Sequence, residues 1–246
     1  MKEENKLSIL IPCYNEEKTI IKILEKIFSV TLIGGIAREV IVIDDGSTDQ
    51  TSRLLTEYQI KHPELPLQLY RQGKNKGKGA SISLAAGKAT GNIMVIQDAD
   101  LEYDPKDFNK MLKPIVDNHA DVVYGSRFVG EGPHRVLFFL HTIGNKILTF
   151  LSNLFTGINL TDMETGYKMF RTDTLRKVTI TEERFGVEPE ITAKISRIDG
   201  IRIYEVGISY YGRTYSEGKK IRWTDGIYAI WCILKYNIFR RKATGQ

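Results

Sequence analysis

The chain has 246 residues, a net charge of +5, 42% hydrophobic and 26% charged residues, and two cysteines. It is long enough to bury a substantial core in one large domain or two fused halves, and the composition excludes a disulfide framework, a low-complexity tract or an internal-repeat array. The opening MKEENKLSIL puts acidic residues before a very short apolar stretch, unlike a secretory signal, and Cys13 and Cys232 are expected to stay reduced in a cytosolic setting.

Leu7 to Ile11 has the pattern of a buried strand, stopped by Pro12. Ile20, Ile23, Leu24, Ile27 and Phe28 then follow helical spacing, with Asn15 as N-cap and Glu16 and Glu17 in the first turn. Val40 to Ile43 is a second strand running into Asp44-Asp45-Gly46-Ser47-Thr48-Asp49, where Asp49 or Ser47 is placed to cap a helix carrying Leu54, Leu55 and Tyr58. Leu67 to Tyr70 is a third strand, and Asn75-Lys76-Gly77-Lys78-Gly79-Ala80 opens a small-residue helix through Ala86. Ile93 to Ile96 is the fourth strand. This alternation predicts an α/β fold with a mostly parallel sheet, its first half running to about Tyr103.

The second half is less regular. Phe108, Met111, Leu112 and Ile115 predict a helix, and Asp121 to Tyr124 a strand ending in Gly125-Ser126-Arg127-Phe128. The strongly apolar segment from Val136 to Phe155 predicts a helix packed on the sheet or touching lipid. Met163 to Phe170 alternates like a strand, a helix is expected from about Ile191 to Ile198 with Pro189 in its first turn, and Ile201 to Val206 is another strand. From Ile221 to Phe239 the tail is aromatic and apolar but broken by Asp225, Lys235 and Asn237, too interrupted for the roughly 20 apolar residues of a spanning helix. Trp223, Tyr228, Trp231 and Tyr236 with flanking cations suit an amphipathic helix in the headgroup region. Packing on the protein's own core or on a second subunit is the alternative.

Charge is unevenly spread. From Arg213 onward eight Lys and Arg face Glu217 and Asp225, which leaves the first 212 residues at −1. A basic, aromatic tail on a nearly neutral body implies an anionic partner, either a phosphate-bearing substrate or a membrane surface, and not nucleic acid. The four histidines (His62, His119, His134 and His141) have no metal-site spacing.

The stretch that organises the chain is Gln97-Asp98-Ala99-Asp100-Leu101-Glu102. Asp98 and Asp100 follow a buried strand at i and i+2, so strand alternation is expected to send both to one side, at the edge where open α/β sheets bind ligands. Two or three such oxygen donors suit Mg²⁺ or Mn²⁺, which in turn bridges phosphates. Other strand ends add Tyr14 as a platform and Glu16 as an acceptor for base and ribose, then Asp44 or Asp45 as a further acceptor. Gly77 and Gly79 allow close backbone approach, with Lys76 and Lys78 near phosphates. Each group alone reads as turn or cap chemistry. Four at successive strand ends are better explained by a nucleoside-diphosphate site.

The segments IPCYNEE, VIDDGSTDQT, NKGKGAS, QDADLEYDP, YGSRF, TDMETGYKMFR, FGVEPEITAKI and EGKKIRWTDG occur in an order that resembles the dolichol-phosphate mannose synthase branch of the GT-A inverting glycosyltransferases, from Leu7 to about Ile227. The resemblance implies a GT-A (Rossmann-like) sheet flanked by helices, with a nucleotide-binding half over 1–103 and an acceptor half over 104–212. A basic closing loop and amphipathic C-terminal helix would follow over 213–246. It implies metal-dependent transfer of a hexose from a nucleotide-diphosphate sugar, GDP-mannose before UDP-glucose, to a dolichyl or undecaprenyl phosphate. Pro12, Tyr14, Glu16, Asp44, Lys76 and Asp98 match donor positions. Asp98 and Asp100 match the metal pair, with Glu102 as a third ligand where the family often has Gln. Arg127 and Arg135 resemble the basic residues near the acceptor phosphate. Arg213 and the Glu217-Gly218-Lys219 turn resemble a segment that closes over the site, adding Arg213 and Lys219 to the phosphate contacts. Asp100, Arg127 and Arg213 are the expected catalytic residues.

A phosphate monoester is largely dianionic at neutral pH, its second pKa being about 6, so such an acceptor needs no protein base. A sugar or protein hydroxyl would need one, with Asp162, Glu188 and Glu190 as candidates. A non-catalytic nucleotide-sugar-binding subunit is the remaining alternative. The chain is expected on the cytoplasmic face of a membrane as a peripheral protein, without the long transmembrane hairpin of several relatives, and a homo-oligomer is compatible with the sequence.

Overall fold

Along β2 (Ala37–Asp44) successive side chains go to opposite faces of the sheet: Val40 and Val42 join one buried cluster, Ile41 and Ile43 the other. A strand buried on both faces must be covered by helices on both. The computed structural model describes residues 5–130, 135, 139–184, 186–213 and 223–239. Its other strands are β1 (Lys6–Cys13), β3 (Leu67–Arg71), β4 (Ile93–Ile96), β5 (Val122–Ser126), β6 (Lys168–Arg171) and β7 (Ile203–Gly207). They form one sheet in the order β3-β2-β1-β4-β6-β5-β7, parallel except for β6, which runs against both neighbours. The mostly parallel sheet predicted from sequence is therefore present.

On one face lie α1 (Ile20–Ser29), α2 (Thr51–Lys61) and α4 (Phe108–Val116), contributing Ile23, Leu55 and Met111 to the first cluster. The other face is covered by α3 (Lys78–Lys88), α5 (Phe139–Thr156), α6 (Thr172–Arg176), α7 (Val187–Ile195) and α8 (Trp223–Leu234), with a π-helical turn, Lys235–Phe239, continuing α8. The strand order reverses between β1 and β4, which opens a crevice at their carboxyl ends. Because β6 is antiparallel, the segment entering it at Lys168 arrives at that same edge.

Several local expectations are corrected. Asn15 does not cap α1. It holds a positive φ of 53°, and its side chain accepts from Thr48 N at 2.8 Å, bracing the loop after β2; α1 begins at Ile20 behind Thr19. The N-cap of α2 is Gln50, although the Asp49 carboxylate does accept from Thr51 N. Of the alternating run from Met163 to Phe170 only Lys168 onward is strand. The N–H groups of Met163 and Gly166 are taken by the Thr149 and Tyr103 hydroxyls, not by a ladder. The α7 helix spans Val187–Ile195, starting earlier than expected.

One side of the tail takes the alternative arrangement and packs on the protein's own core. Glu182, 5% exposed, accepts from Tyr228 Oη at 2.5 Å, Lys235 Nζ at 2.6 Å and Tyr236 Oη at 2.6 Å. Burial alone would raise its pKa, but these donors outweigh burial and hold it at about 2. Tyr236 and Lys235 thus serve the protein, not a headgroup layer, because a buried carboxylate must be supplied with donors. Ala229, Cys232 and Ile233 are buried on the same side.

At the opposite, amino edge of the sheet Glu39 ties three elements together. It accepts from Ser8 Oγ at 2.6 Å, Thr90 N at 2.7 Å and Gly91 N at 3.0 Å, and pairs with Lys6 at 2.9 Å. A Cβ on Gly91 would stand 2.5 Å from the Lys6 carbonyl, so only glycine permits this approach. Burial works against the Glu39 charge, yet the donors from Ser8, Lys6 and Thr90 bring its pKa to about 2. A folded-state value below the unfolded one of about 4.3 means stabilisation present above pH ~4.3 and lost as pH falls toward 2. Glu39→Ala is expected to cost roughly 3 kcal/mol in urea unfolding at pH 7 and to flatten the pH dependence between about 4.3 and 2; an unchanged midpoint would contradict this role.

Candidate active site

The crevice is built by loops following the parallel strands. After β2, Asp44 accepts from Ser47 N at 2.8 Å and Ser52 Oγ at 2.6 Å, with Arg71 Nε 3.6 Å away. Asp45 reaches across to the glycine loop, accepting from Lys76 N at 2.8 Å, Gly77 N at 2.7 Å and Gln72 Nε2 at 2.9 Å. Of the two acidic residues, Asp45 is thus the clamp that shapes this loop and leaves the Lys76 side chain exposed beside the crevice. Gly77 has φ 96°, and a Cβ there would lie 2.1 Å from the Glu183 carbonyl. After β1, Pro12 still pairs with β2, and Tyr14 and Glu16 come next, Tyr14 36% exposed.

β4 ends at Ile96, and Asp98 to Asp100 form a turn, with Leu101 at a positive φ of 64°. Strand alternation therefore does not set the directions of the two aspartates; counter-ions do. Asp98 takes Lys78 Nζ at 2.8 Å, and Lys78 also pairs with Glu188 at 2.9 Å. Burial disfavours the Lys78 charge, but Asp98 and Glu188 outweigh it and hold the amine well above its ordinary pKa. Asp100 takes Arg213 Nη2 at 2.9 Å and Glu102 N at 3.1 Å. Burial first, then Asp98 and Glu102, push Asp100 up to about 7 against the opposing Arg213. Glu102 accepts from Tyr210 Oη at 2.7 Å and Arg213 N at 2.8 Å, so it anchors the segment after β7. Glu16 Oε2 lies 3.6 Å from Arg213 Nη1. Glu16, Asp100 and Glu102 thus converge on one guanidinium.

After β5, Arg127 is locked by Asp162, Nε at 2.7 Å and Nη2 at 2.7 Å, against the Tyr210 ring at 5.3 Å. Burial opposes the Arg127 charge, but Asp162 outweighs it and holds the pKa well above the usual value. Arg135 donates to the Gly212 carbonyl at 3.0 Å, placing it beside the Arg213 segment. Lys219 lies outside the described residues.

The sequence motifs marked the segment before β6 without assigning its charges. Glu164 has a buried Oε1 with no hydrogen-bond partner. Burial, then Glu188, raise its pKa to about 8. Lys168 is buried with its Nζ on the Met163 and Thr165 carbonyls, and burial lowers its pKa to about 8. A Cβ on Gly166 would stand 2.4 Å from Asp98 Oδ2, so this glycine lets the segment close against the aspartate. The available signal was one pair of opposite charges, Glu164 and Lys168, in the otherwise uncharged stretch from Met163 to Phe170.

Among the described residues no three His, Cys, Asp or Glu side chains are arranged as a ready-made metal cluster. The donor set still fits a divalent ion. Mg²⁺ and similar ions take one or two carboxylates and complete their shell with water and phosphates, and a positive group, Arg213, already stands among Glu16, Asp100 and Glu102.

The model of Glycosyl transferase family 2 matches residues 8–179. The chain is 25% identical over 213 residues to a dodecaprenyl-phosphate galacturonate synthase of Rhizobium johnstonii, covering 87% of this chain and 61% of that protein. It is 29% identical over 234 residues to a dolichyl-phosphate beta-glucosyltransferase of Dictyostelium discoideum, covering 87% and 68%. In fold it is similar to glucosyl-3-phosphoglycerate synthase of Mycobacterium tuberculosis, crystallised with Mn²⁺, uridine diphosphate and phosphoglyceric acid. The TM-score is 0.68 at 18% identity, covering 98% of this chain and 82% of that one. The fold is thus the GT-A arrangement.

Two substitutions separate positions that hold the fold from positions that hold a ligand. Asp162→Ala strands the buried Arg127 charge and is expected to cost about 3–5 kcal/mol in chemical denaturation. Asp100→Asn relieves repulsion among neighbouring carboxylates and is expected to leave stability within about 1 kcal/mol of the parent. Equal losses for both would contradict this division.

Proposed function

Because the chain belongs to glycosyl transferase family 2, a family of glycosyltransferases, we propose that it moves a hexose, with inversion, from a nucleotide-diphosphate sugar to a polyprenyl phosphate. The observation that carries the acceptor assignment is the engagement of the candidate bases. Asp162 is bound to Arg127 and Glu188 to Lys78. Glu190 accepts from Thr181 N at 2.9 Å and Glu182 N at 2.7 Å and pairs with Lys194. Glu164, with its pKa raised to about 8, is mostly protonated at neutral pH. Among the described residues these four carboxylates are thus engaged or protonated and not free to serve as the base a hydroxyl acceptor would need, whereas a phosphate monoester arrives already ionised. The names of the relatives from Rhizobium johnstonii and Dictyostelium discoideum support the same acceptor class.

In this reading the loops of residues 1–103 hold the donor. Pro12, Tyr14 and Glu16 face the base and ribose, Asp44 supports the loop around them through Ser47 and Ser52, and Lys76 faces the phosphates. Asp98 and Asp100, with Glu102 in reach, would hold Mg²⁺ or Mn²⁺. Once bound, such an ion supplies Lewis-acid stabilisation of the departing diphosphate. Residues 104–212 hold the acceptor. Arg127 spends its Nε–H and one N–H of Nη2 on Asp162, so its other N–H groups are the donors for an anion in this reading, and the ion pair fixes its direction. Arg135, from the stretch between β5 and α5, and Arg213, from the segment after β7, complete the phosphate contacts.

A lipid acceptor also accounts for α5. Its inward side reaches the site, Asn145 toward Asp162 at 3.4 Å and Thr149 to Met163 N at 3.1 Å. Its outward side carries Ile143, Ile147, Phe150 and Leu154 at helical spacing, Phe150 65% and Leu154 64% exposed, and the packed α8 adds Ile227 and Trp231. Among the described residues no helix is long and apolar enough to cross a membrane, so peripheral attachment through this face is part of the proposal.

Labelled hexose should pass from GDP-mannose or UDP-glucose into an organic-soluble polyprenyl product, with Mn²⁺ or Mg²⁺ required and EDTA inhibitory. Asp100→Asn should lower the rate by roughly 10²–10³. Transfer to saccharide hydroxyls alone would overturn the acceptor assignment. In liposome flotation, Phe150→Glu should reduce binding without lowering the rate on a short, water-soluble isoprenyl phosphate; unchanged flotation would remove the membrane face.

A further inference from the structure

Arg213 is the meeting point of three carboxylates from two separate loops. Its Nη2 lies 2.9 Å from Asp100 Oδ2, its Nη1 3.6 Å from Glu16 Oε2 and its Nε 3.5 Å from Glu102 Oε1, while its backbone N–H donates to Glu102 at 2.8 Å. Four-fifths of the side chain is buried, and Nε has no hydrogen-bond partner despite that burial. A guanidinium normally satisfies its donors with in-plane contacts to carboxylate oxygens. Here it spans three carboxylates and completes a close fork with none of them. That geometry belongs to a positive charge filling an acidic pocket, not to a structural clamp such as Arg127 on Asp162, where Nε and Nη2 are both matched at 2.7 Å.

The placement has a consequence for any second cation. Asp100 Oδ2 offers its charge to Arg213, and Asp98 offers its own to Lys78. Lys78 is also held by Glu188 and comes from a helix packed on the sheet, so it is fixed. Arg213, by contrast, follows β7 outside any helix or strand. A divalent ion on Asp100 at the distance of a metal–oxygen bond, about 2.0–2.2 Å, would stand within a few ångströms of the guanidinium. Two such charges that close repel by several kcal/mol at the effective dielectric of a partly buried site.

We propose that Arg213 is a built-in counter-ion of the carboxylate pocket. It competes with the divalent cation for Asp100 and Glu102, and it is released toward the substrate anions only when a cation takes those oxygens. This rests on the reading of Asp98 and Asp100 as cation ligands and adds an order to it: the acceptor's arginine becomes available after the donor side is filled. Arg213 on this view contacts the substrate anion itself, and its availability is set by the donor site. Without a cation Arg213 offsets part of the pocket's negative charge, which helps keep its three carboxylates together without bound metal.

The test is Mn²⁺ binding, followed by the electron paramagnetic resonance signal of free Mn²⁺, to the full chain without nucleotide. Arg213→Ala should bind Mn²⁺ at least about tenfold more tightly than the parent, and Arg213→Lys, which keeps a charge but lacks the planar fork, should fall between them. Guanidinium chloride should weaken Mn²⁺ binding to Arg213→Ala, whereas sodium chloride at equal ionic strength should weaken it less. Equal affinity of parent and Arg213→Ala, with nucleotide still enhancing binding in both, would overturn the counter-ion role and leave the transferase reading intact. An absence of guanidinium-specific competition would overturn it in the same way. No Mn²⁺ binding to either form even with saturating GDP or UDP would overturn both.

Discussion

Asp98 and Asp100 leave β4 two residues apart, and each meets a cation delivered from elsewhere in the chain. Lys78 arrives from the glycine loop and Arg213 from the segment after β7. Carboxylates of this density are costly to bury unless each is supplied with charge and donors. The rest of the crevice can be understood as the means of supplying them. Asp45 shapes the glycine loop so that Lys78 opens α3 facing Asp98, Gly166 removes a Cβ that would collide with that aspartate, and Glu102 draws the Arg213 segment over the pocket through Tyr210. The antiparallel β6 brings the Asp162–Lys168 segment to the same edge. The loops after β1, β2 and β4 and the segment before β6 are thus adjoining parts of one surface.

Much of this was legible in the residues. The four runs before Tyr103 appear as β1 to β4 with small shifts of boundary; the apolar runs of β1, β2 and β4 are buried on both faces, because a continuous run of that length between polar turns has few other places to go, while β3, at the sheet edge, fully buries only Leu67. The acidic and glycine-rich strand ends do gather at one crevice, as the parallel topology demands. What the sequence concealed were the partners. Nothing local distinguishes Asp44, occupied by Ser47 and Ser52, from Asp45, which clamps the glycine loop; the difference arises from contacts about thirty residues apart. The directions of Asp98 and Asp100 depend on counter-ions 20 and 113 residues away. Asn15 looked like a cap and is a brace, and Tyr236 looked like a headgroup anchor and is a donor to Glu182. In each case a tertiary demand for hydrogen bonds outranked a local preference.

The engaged bases give the site its chemical character. A fold that binds a nucleotide sugar can serve either hydroxyl or phosphate acceptors, and fold alone does not choose between them. Here, among the described residues, Asp162, Glu188 and Glu190 are committed to Arg127, Lys78 and the turn before α7, which favours the reading of an anionic acceptor. The helix that reaches Asp162 from above, α5, turns an apolar stripe outward within the same few turns. An acceptor with a phosphate at one end and a hydrocarbon chain at the other matches both faces of that helix.

The account depends on the crevice holding a nucleoside diphosphate through a cation shared with Asp98 and Asp100. Isothermal calorimetry of GDP and UDP against the purified chain measures this directly. Binding of at least one of the two with Mn²⁺ present, lost on chelation and lost in Asp98→Ala, is the predicted result. No heat from either nucleotide, with or without Mn²⁺, would contradict it.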